Sequence, residues 1–158
     1  MSGGDDGTES HSLRGASDRR SLLEFRDVVE GMEPLATAAL DDPLNPDELR
    51  ISLADGIGPA SRGRFDVRWS TTNDYNIHYT DDRGRNLRWD VHPHEYPAPD
   101  DESHFHPPPD ASSDDGAVEA SCIDVRQVQL VARATVTLWR TLYDAESLEE
   151  PNGVVDPP

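Results

Sequence analysis

The sequence predicts an α+β domain with an N-terminal helix, an antiparallel meander sheet of about four strands, a long Pro/His-rich loop, and a C-terminal helix packed on the sheet. Three observations predict it. Apolar residues recur at helical spacing from Leu22 to Met32 and again from Val125 to Leu142. Between these stretches, four short segments alternate apolar and polar residues with period two, and clusters of turn-forming residues separate them.

The first helix is expected from Ser21, a good N-cap residue, with Leu22, Phe25, Val28, Val29 and Met32 forming one apolar face. Gly31 and Pro34 interrupt it, so Leu35 to Leu40 is expected as a kinked continuation or a second short helix before Pro43 and Pro46. Leu49, Ile51 and Leu53 then open the strand region, followed by Phe65, Val67 and Trp69, by Tyr75, Ile77 and Tyr79, and by Leu87, Trp89 and Val91. Every apolar position is odd-numbered, and side chains two apart share a face of a strand.

Thr71-Thr72-Asn73 and Asp81-Asp82-Arg83-Gly84 have hairpin chemistry, Gly84 being suited to a left-handed position. Residue numbers paired across a hairpin sum to a constant, and keeping odd residues on one face requires an even sum. Three-residue loops set Asp66 beside His78 and His78 beside Arg88, an acid, imidazole and guanidinium row on the polar face. A register slip of one residue would expose Trp69, Tyr75 and Trp89.

From Pro93 to about Ala117 the prolines predict an irregular loop, of a length that is usually functional or disordered. Asp124 is a suitable N-cap for the stripe of Val125, Val128, Val131, Thr135, Leu138, Trp139 and Leu142, although its β-branched residues also suit a strand. Residues 1–20 and 144–158 are polar, acidic and poor in apolar side chains, so both are expected as disordered tails around a single domain at residues 21–143.

The chain has 158 residues, 32 acidic against 14 basic, and every basic residue is Arg. At a net charge of -18 the compact state repels itself in dilute buffer, and molar salt, with a Debye length of roughly 3 Å, screens that repulsion. The composition therefore suits a salt-filled cytoplasm, and acidity alone names no partner. Cys122 is the only cysteine, which excludes an internal disulfide and a Cys-rich zinc site. No segment approaches the ~20 apolar residues of a membrane helix, so a soluble, cytoplasmic protein is expected.

Charge is unevenly spread. Residues 62–88 hold six Arg and four Asp, a local balance of +2 that leaves -20 for the rest. Such a segment suits an anionic ligand such as RNA phosphate or an acidic partner; it equally suits arginines that balance neighbouring aspartates on a solvated face. Five of the six histidines lie between His78 and His106, with His92-Pro93-His94 and His104-Phe105-His106 as His-x-His pairs. Neutral imidazoles in such pairs can bind zinc or another divalent ion. Histidine is also a general acid or base near neutral pH, and with arginine to stabilise a phosphorane it suffices for metal-free RNA cleavage. Whether a metal is bound stays open.

The run Arg88-Trp89-Asp90-Val91-His92-Pro93-His94 followed by His104-Phe105-His106 resembles the signature of the TumE toxin family. That signature is an Arg-aromatic-Asp-Asn-x-Pro-His-His run and then a Pro-His-His-x-His run. Arg88, Asp90, Pro93 and His94 fall on the first motif and His104 and His106 on the second, while Val91, Glu95 and Ser103 depart from it. The resemblance implies the toxin of a toxin-antitoxin pair, restrained by a cognate antitoxin.

With the physical chemistry of these side chains, it yields a candidate catalytic set of Arg88, Asp90, His94, His104 and His106. In that set His94 or His104 serves as acid or base, Arg88 binds phosphate and Asp90 orients an imidazole. The competing expectation is a noncatalytic, metal-stabilised or partner-binding module in which the histidines hold the long loop. A third is an acidic binding partner for a basic protein.

Overall fold

The computed structural model describes residues 13–91, 103–111 and 116–152. Helix α1 (Arg19–Met32) buries Leu22, Phe25 and Val29. It starts earlier than expected: Asp18 is the N-cap, and Ser21 lies inside the first turn, where its hydroxyl donates to Asp18 Oδ2 at 2.8 Å. Gly31 stays within the helix.

Leu35 to Leu40 corrects the sequence expectation, since Ala36–Leu40 is strand β1 rather than helix. The alanine-rich segment has good helix propensity, but pairing with β2 (Leu49–Leu53) overrides it. Glu33 holds the turn between α1 and β1. It is buried, its carboxylate accepts the Leu35 N–H at 2.9 Å, and Arg140 clamps it from the C-terminal helix.

The sheet continues through β3 (Gly63–Trp69), β4 (Tyr75–Asp81), β5 (Asn86–Val91), β6 (Ser103–His106) and β7 (Glu119–Ala120). All neighbours are sequential and antiparallel, which gives a seven-stranded meander where about four strands are expected from the sequence. The additional strands are β1, β6 and β7. β6 lies within the stretch expected to be irregular; it has one apolar side chain, Phe105, between two histidines, and so carries no visible alternation. β7 has two residues, both exposed.

The predicted parity holds. Asp66 pairs with His78 and His78 with Arg88, as the even sums require. Phe65, Val67, Trp69, Tyr75, Ile77, Tyr79, Leu87, Trp89 and Val91 are all buried. They face α1 and helix α2 (Val128–Ala145), which contributes Val131, Leu138, Trp139 and Leu142 to the same core.

Trp69 stacks on Tyr75 with ring centroids 4.8 Å apart, a cross-strand pair that a register slip would destroy. Gly63 admits the Tyr79 ring, whose atoms lie 2.9 Å from where a Cβ would sit. α2 resolves the helix-or-strand alternative in favour of helix. It begins at Val128 with Gln127 as N-cap, so Asp124 and Val125 belong to an extended lead-in that Tyr75 anchors through a 3.3 Å hydrogen bond to the Val125 carbonyl.

Packed chain also extends past residues 21–143 at both ends. Leu148 and Pro151 are buried, and Asn152 bonds the Cys122 N–H and the Ala120 carbonyl, both at 2.8 Å, thereby covering the edge of β7. At the other end the Asp18 N–H donates to the Trp69 carbonyl at 2.8 Å.

Candidate functional site

The face of the sheet turned away from the helices carries a row of side chains across five strands. From β2 to β6 it reads Arg50, Asp66, His78, Arg88, His106. One pleat along, Asn76 pairs with Asp90 and Asp90 with His104. Period-two geometry puts these polar groups together because the odd residues of the same strands are committed to the core.

Arg88, Asp90, His104 and His106 are therefore adjacent. Arg88 Nε lies 2.9 Å from Asp90 Oδ2, and His106 Nε2 lies 3.1 Å from the same oxygen. Asp90, His104 and His106 are fully buried, whereas the Arg88 side chain keeps 15% exposure and reaches the surface. Asp90 is thus placed to orient the Arg88 guanidinium, with the His106 ring packed close beside the same oxygen. The fifth expected residue, His94, lies outside the described residues.

His78 was part of the predicted row but not of the predicted catalytic set. Its Nε2 is 2.9 Å from Asn86 Oδ1, which also accepts the Thr80 hydroxyl at 2.9 Å. Burial pushes the His78 imidazole below its ordinary value and Arg88 and Arg64 act the same way, against the bond to Asn86 and the charge of Asp66. His78 is consequently neutral near pH 7. The strand pairing that brings Asn86 to it was already implied by the even hairpin sum, and that signal could have found it.

His78 and Arg88 open onto a cleft of about 450 Å³, lined also by Asp66, Arg68, Asn76 and Glu48. The arginines of this face have carboxylate partners. Arg64 pairs with Asp66 at 3.1 Å, Arg50 with Glu48 at 3.0 Å, and Arg68 with Glu48 at 3.8 Å. The face is therefore closer to charge balance than the local sequence count suggests. Arg68, exposed and held at the longest of these distances, is the arginine that most easily exchanges its carboxylate for another anion.

One wall of the cleft is a strap, Leu13 to Ser17, preceding α1. Arg14 fastens it by a fork onto buried Asp74, Nε to Oδ2 at 2.8 Å and an Nη to Oδ1 at 2.7 Å, and the Thr72 hydroxyl donates to the Arg14 carbonyl at 2.7 Å. Burial alone would raise the Asp74 carboxyl, but the hydrogen bonds and charge of Arg14, aided by Arg126, outweigh it and hold Asp74 below the ordinary carboxylate value.

A depressed folded-state value means that this contribution is fully present above the unfolded carboxylate pKa of about 3.9. It is lost as pH falls through the folded value. Arg14→Ala is expected to cost about 2 kcal/mol and to speed hydrogen exchange at the Thr71 amide, which bonds the Ala16 carbonyl at 2.9 Å. Wild-type protein should show the same local opening only in acid, below the ordinary carboxylate range. Equal exchange in both proteins at neutral pH would mean that the fork does not hold the strap.

Among the described residues, no three His, Cys, Asp or Glu side chains converge closely enough to hold a metal ion. Burial pushes the Cys122 thiol up to about 11, which leaves it protonated and a poor nucleophile at neutral pH. Among the described residues, no helix is long and apolar enough to cross a membrane. What the arrangement offers is a buried carboxylate holding an arginine at the rim of a cleft, with a neutral imidazole beside it.

No curated protein and no solved structure matches the chain. The sequence model of the family described as Toxin TumE matches residues 20–140, which takes in all but the first residue of α1, the strands through β7 and most of α2. The segment that carries the Arg-aromatic-Asp and His-Phe-His motifs thus lies inside the matched span, and the chain belongs to the TumE toxin family, whose members are toxins of toxin-antitoxin systems with a cognate antitoxin as partner.

Proposed function

We propose that this toxin acts on RNA by cleaving a phosphodiester at the cleft beside β4 and β5. The observation that carries the reading is Arg88 between His78 and His106 in one cross-strand row, with Asp90 at 2.9 Å from its guanidinium. A planar cation already oriented by a buried carboxylate is suited to stabilise charge that develops on phosphate, because it need not reorganise during the reaction.

Asp90 is the positioning residue of this group, with His106 and the buried His104 supporting it from β6. His94 keeps the acid side of the proton transfer suggested by its motif, with solvent carrying the proton to the leaving oxygen. Burial of His104 argues for support rather than direct contact with a substrate.

The reading is tested by expressing the chain with and without its antitoxin in a salt-tolerant host while growth and RNA integrity are followed together. Wild type is expected to arrest growth with fragmented RNA, and His94→Ala and His104→Ala to relieve both while remaining folded. Growth arrest with intact RNA would reject cleavage. Unchanged toxicity in both variants would reject these two histidines.

A further inference from the structure

Among the described residues, His78 is an imidazole of the polar face that lines the cleft and has its ring orientation tied to a neighbouring amide. The amide itself has a defined sense. Asn86 Nδ2 donates to the Gly84 carbonyl at 3.0 Å, so Oδ1 is the end that receives His78 and Thr80. An oxygen that accepts requires Nε2 of His78 to carry the hydrogen. The lone pair of the neutral ring then resides on Nδ1.

From this geometry we infer that His78 is the general base of the proposed RNA cleavage, accepting a ribose 2′-hydroxyl proton at Nδ1, and that Asn86 is the positioning residue that selects its tautomer. The inference rests on the proposed function and adds to it a residue outside the family motif. In the step, Nδ1 takes the 2′-O proton and the O2′ electron pair forms a bond to phosphorus. The P–O5′ bond breaks and O5′ takes a proton from solvent, leaving a 2′,3′-cyclic phosphate and a 5′-hydroxyl.

Arg88, directly opposite His78 on β5, stands where the phosphate oxygens would gather charge. The cleft, about 450 Å³, falls within the ~300–1,000 Å³ range of small-molecule pockets, which suits a single nucleotide.

The charged groups around the ring are Asp66 and Arg64 on β3 and Arg88 on β5; Arg68 and Glu48 line the cleft beyond them. Their combined effect with burial keeps the ring neutral through neutral pH, as a base must be. Changing the Asn86 amide to a carboxylate retains the acceptor and adds a negative charge next to Nε2–H, which stabilises the imidazolium. A structural role for the Asn86 bond would predict no such change in titration.

The experiment is the pH dependence of kcat/KM for cleavage of a single-stranded RNA oligonucleotide at molar salt, for wild type, Asn86→Asp and His78→Gln, with folding checked by circular dichroism. Asn86→Asp is expected to move the acid limb upward by about one pH unit. His78→Gln is expected to lower cleavage by about 10²–10⁴-fold and to abolish that limb.

An acid limb that stays in place in folded Asn86→Asp, or a folded His78→Gln that cleaves like wild type, overturns the role of His78 while leaving RNA cleavage standing. Absence of cleavage by wild type overturns both. Should Asn86→Asp fail to fold, the His78→Gln profile alone decides.

Discussion

Arg88→Ala is expected to reduce RNA cleavage by about 10²–10³-fold, the usual consequence of removing one preorganised donor from a developing anion. The loss should appear in kcat, because the guanidinium interacts most strongly with the charge present at the transition state. Arg88→Lys is expected to recover little, since a lysine ammonium cannot keep the Nε contact to Asp90 and also present a planar fork. Cleavage assays on both variants at molar salt, with melting curves to confirm folding, make the comparison. Full activity in either folded variant would remove Arg88 from the site. Relief of growth arrest should follow the same order.

Asp90→Ala is expected to have the largest effect on stability among these substitutions, about 3–5 kcal/mol, because it removes a fully buried carboxylate from the charged groups packed against it. Asp90 is fully buried, and its Oδ2 meets both Arg88 and His106. Asp90→Asn keeps the shape and an acceptor, so a smaller loss is expected, while cleavage falls because the carboxylate no longer orients Arg88. Urea unfolding at fixed high salt gives both values. A Asp90→Ala protein as stable as wild type would show that the cluster does not depend on this charge.

The arrangement of the sheet was largely legible because one constraint determined it. Nine apolar residues from Phe65 to Val91 occupy odd positions, and burying all of them requires even register sums in both hairpins. The pairs Asp66–His78 and His78–Arg88 follow from that parity alone. β1 is not legible in the sequence because alanines carry a helical preference and Pro34 signals only a break, whereas the strand forms through pairing with residues 49–53. β6 was missed because its stabilising partners lie on β5, across a connection that gives no register by itself.

The candidate site divides in the same way. Arg88 and Asp90 are two apart on one strand, so their shared face was readable, and the family motif singled out His104 and His106. Their pairing opposite Asp90 and Arg88, their burial, and the contribution of a Leu13–Ser17 strap to the cleft were not readable. The strap attaches through Arg14 and Asp74, sixty positions apart. Neither residue stands out in a chain with so many aspartates.

By itself, then, the sequence determined which side chains share each surface of the central strands, because a pleated ribbon alternates its side chains and water rejects tryptophan and isoleucine. Only the tertiary structure decided which polar residues on the outer surface are withdrawn from solvent and which reach the cleft, because that depends on distant segments laid over or beside them. Charge and imidazole count are properties of composition; the burial that leaves His78 neutral and orders Arg88 against Asp90 is a property of packing.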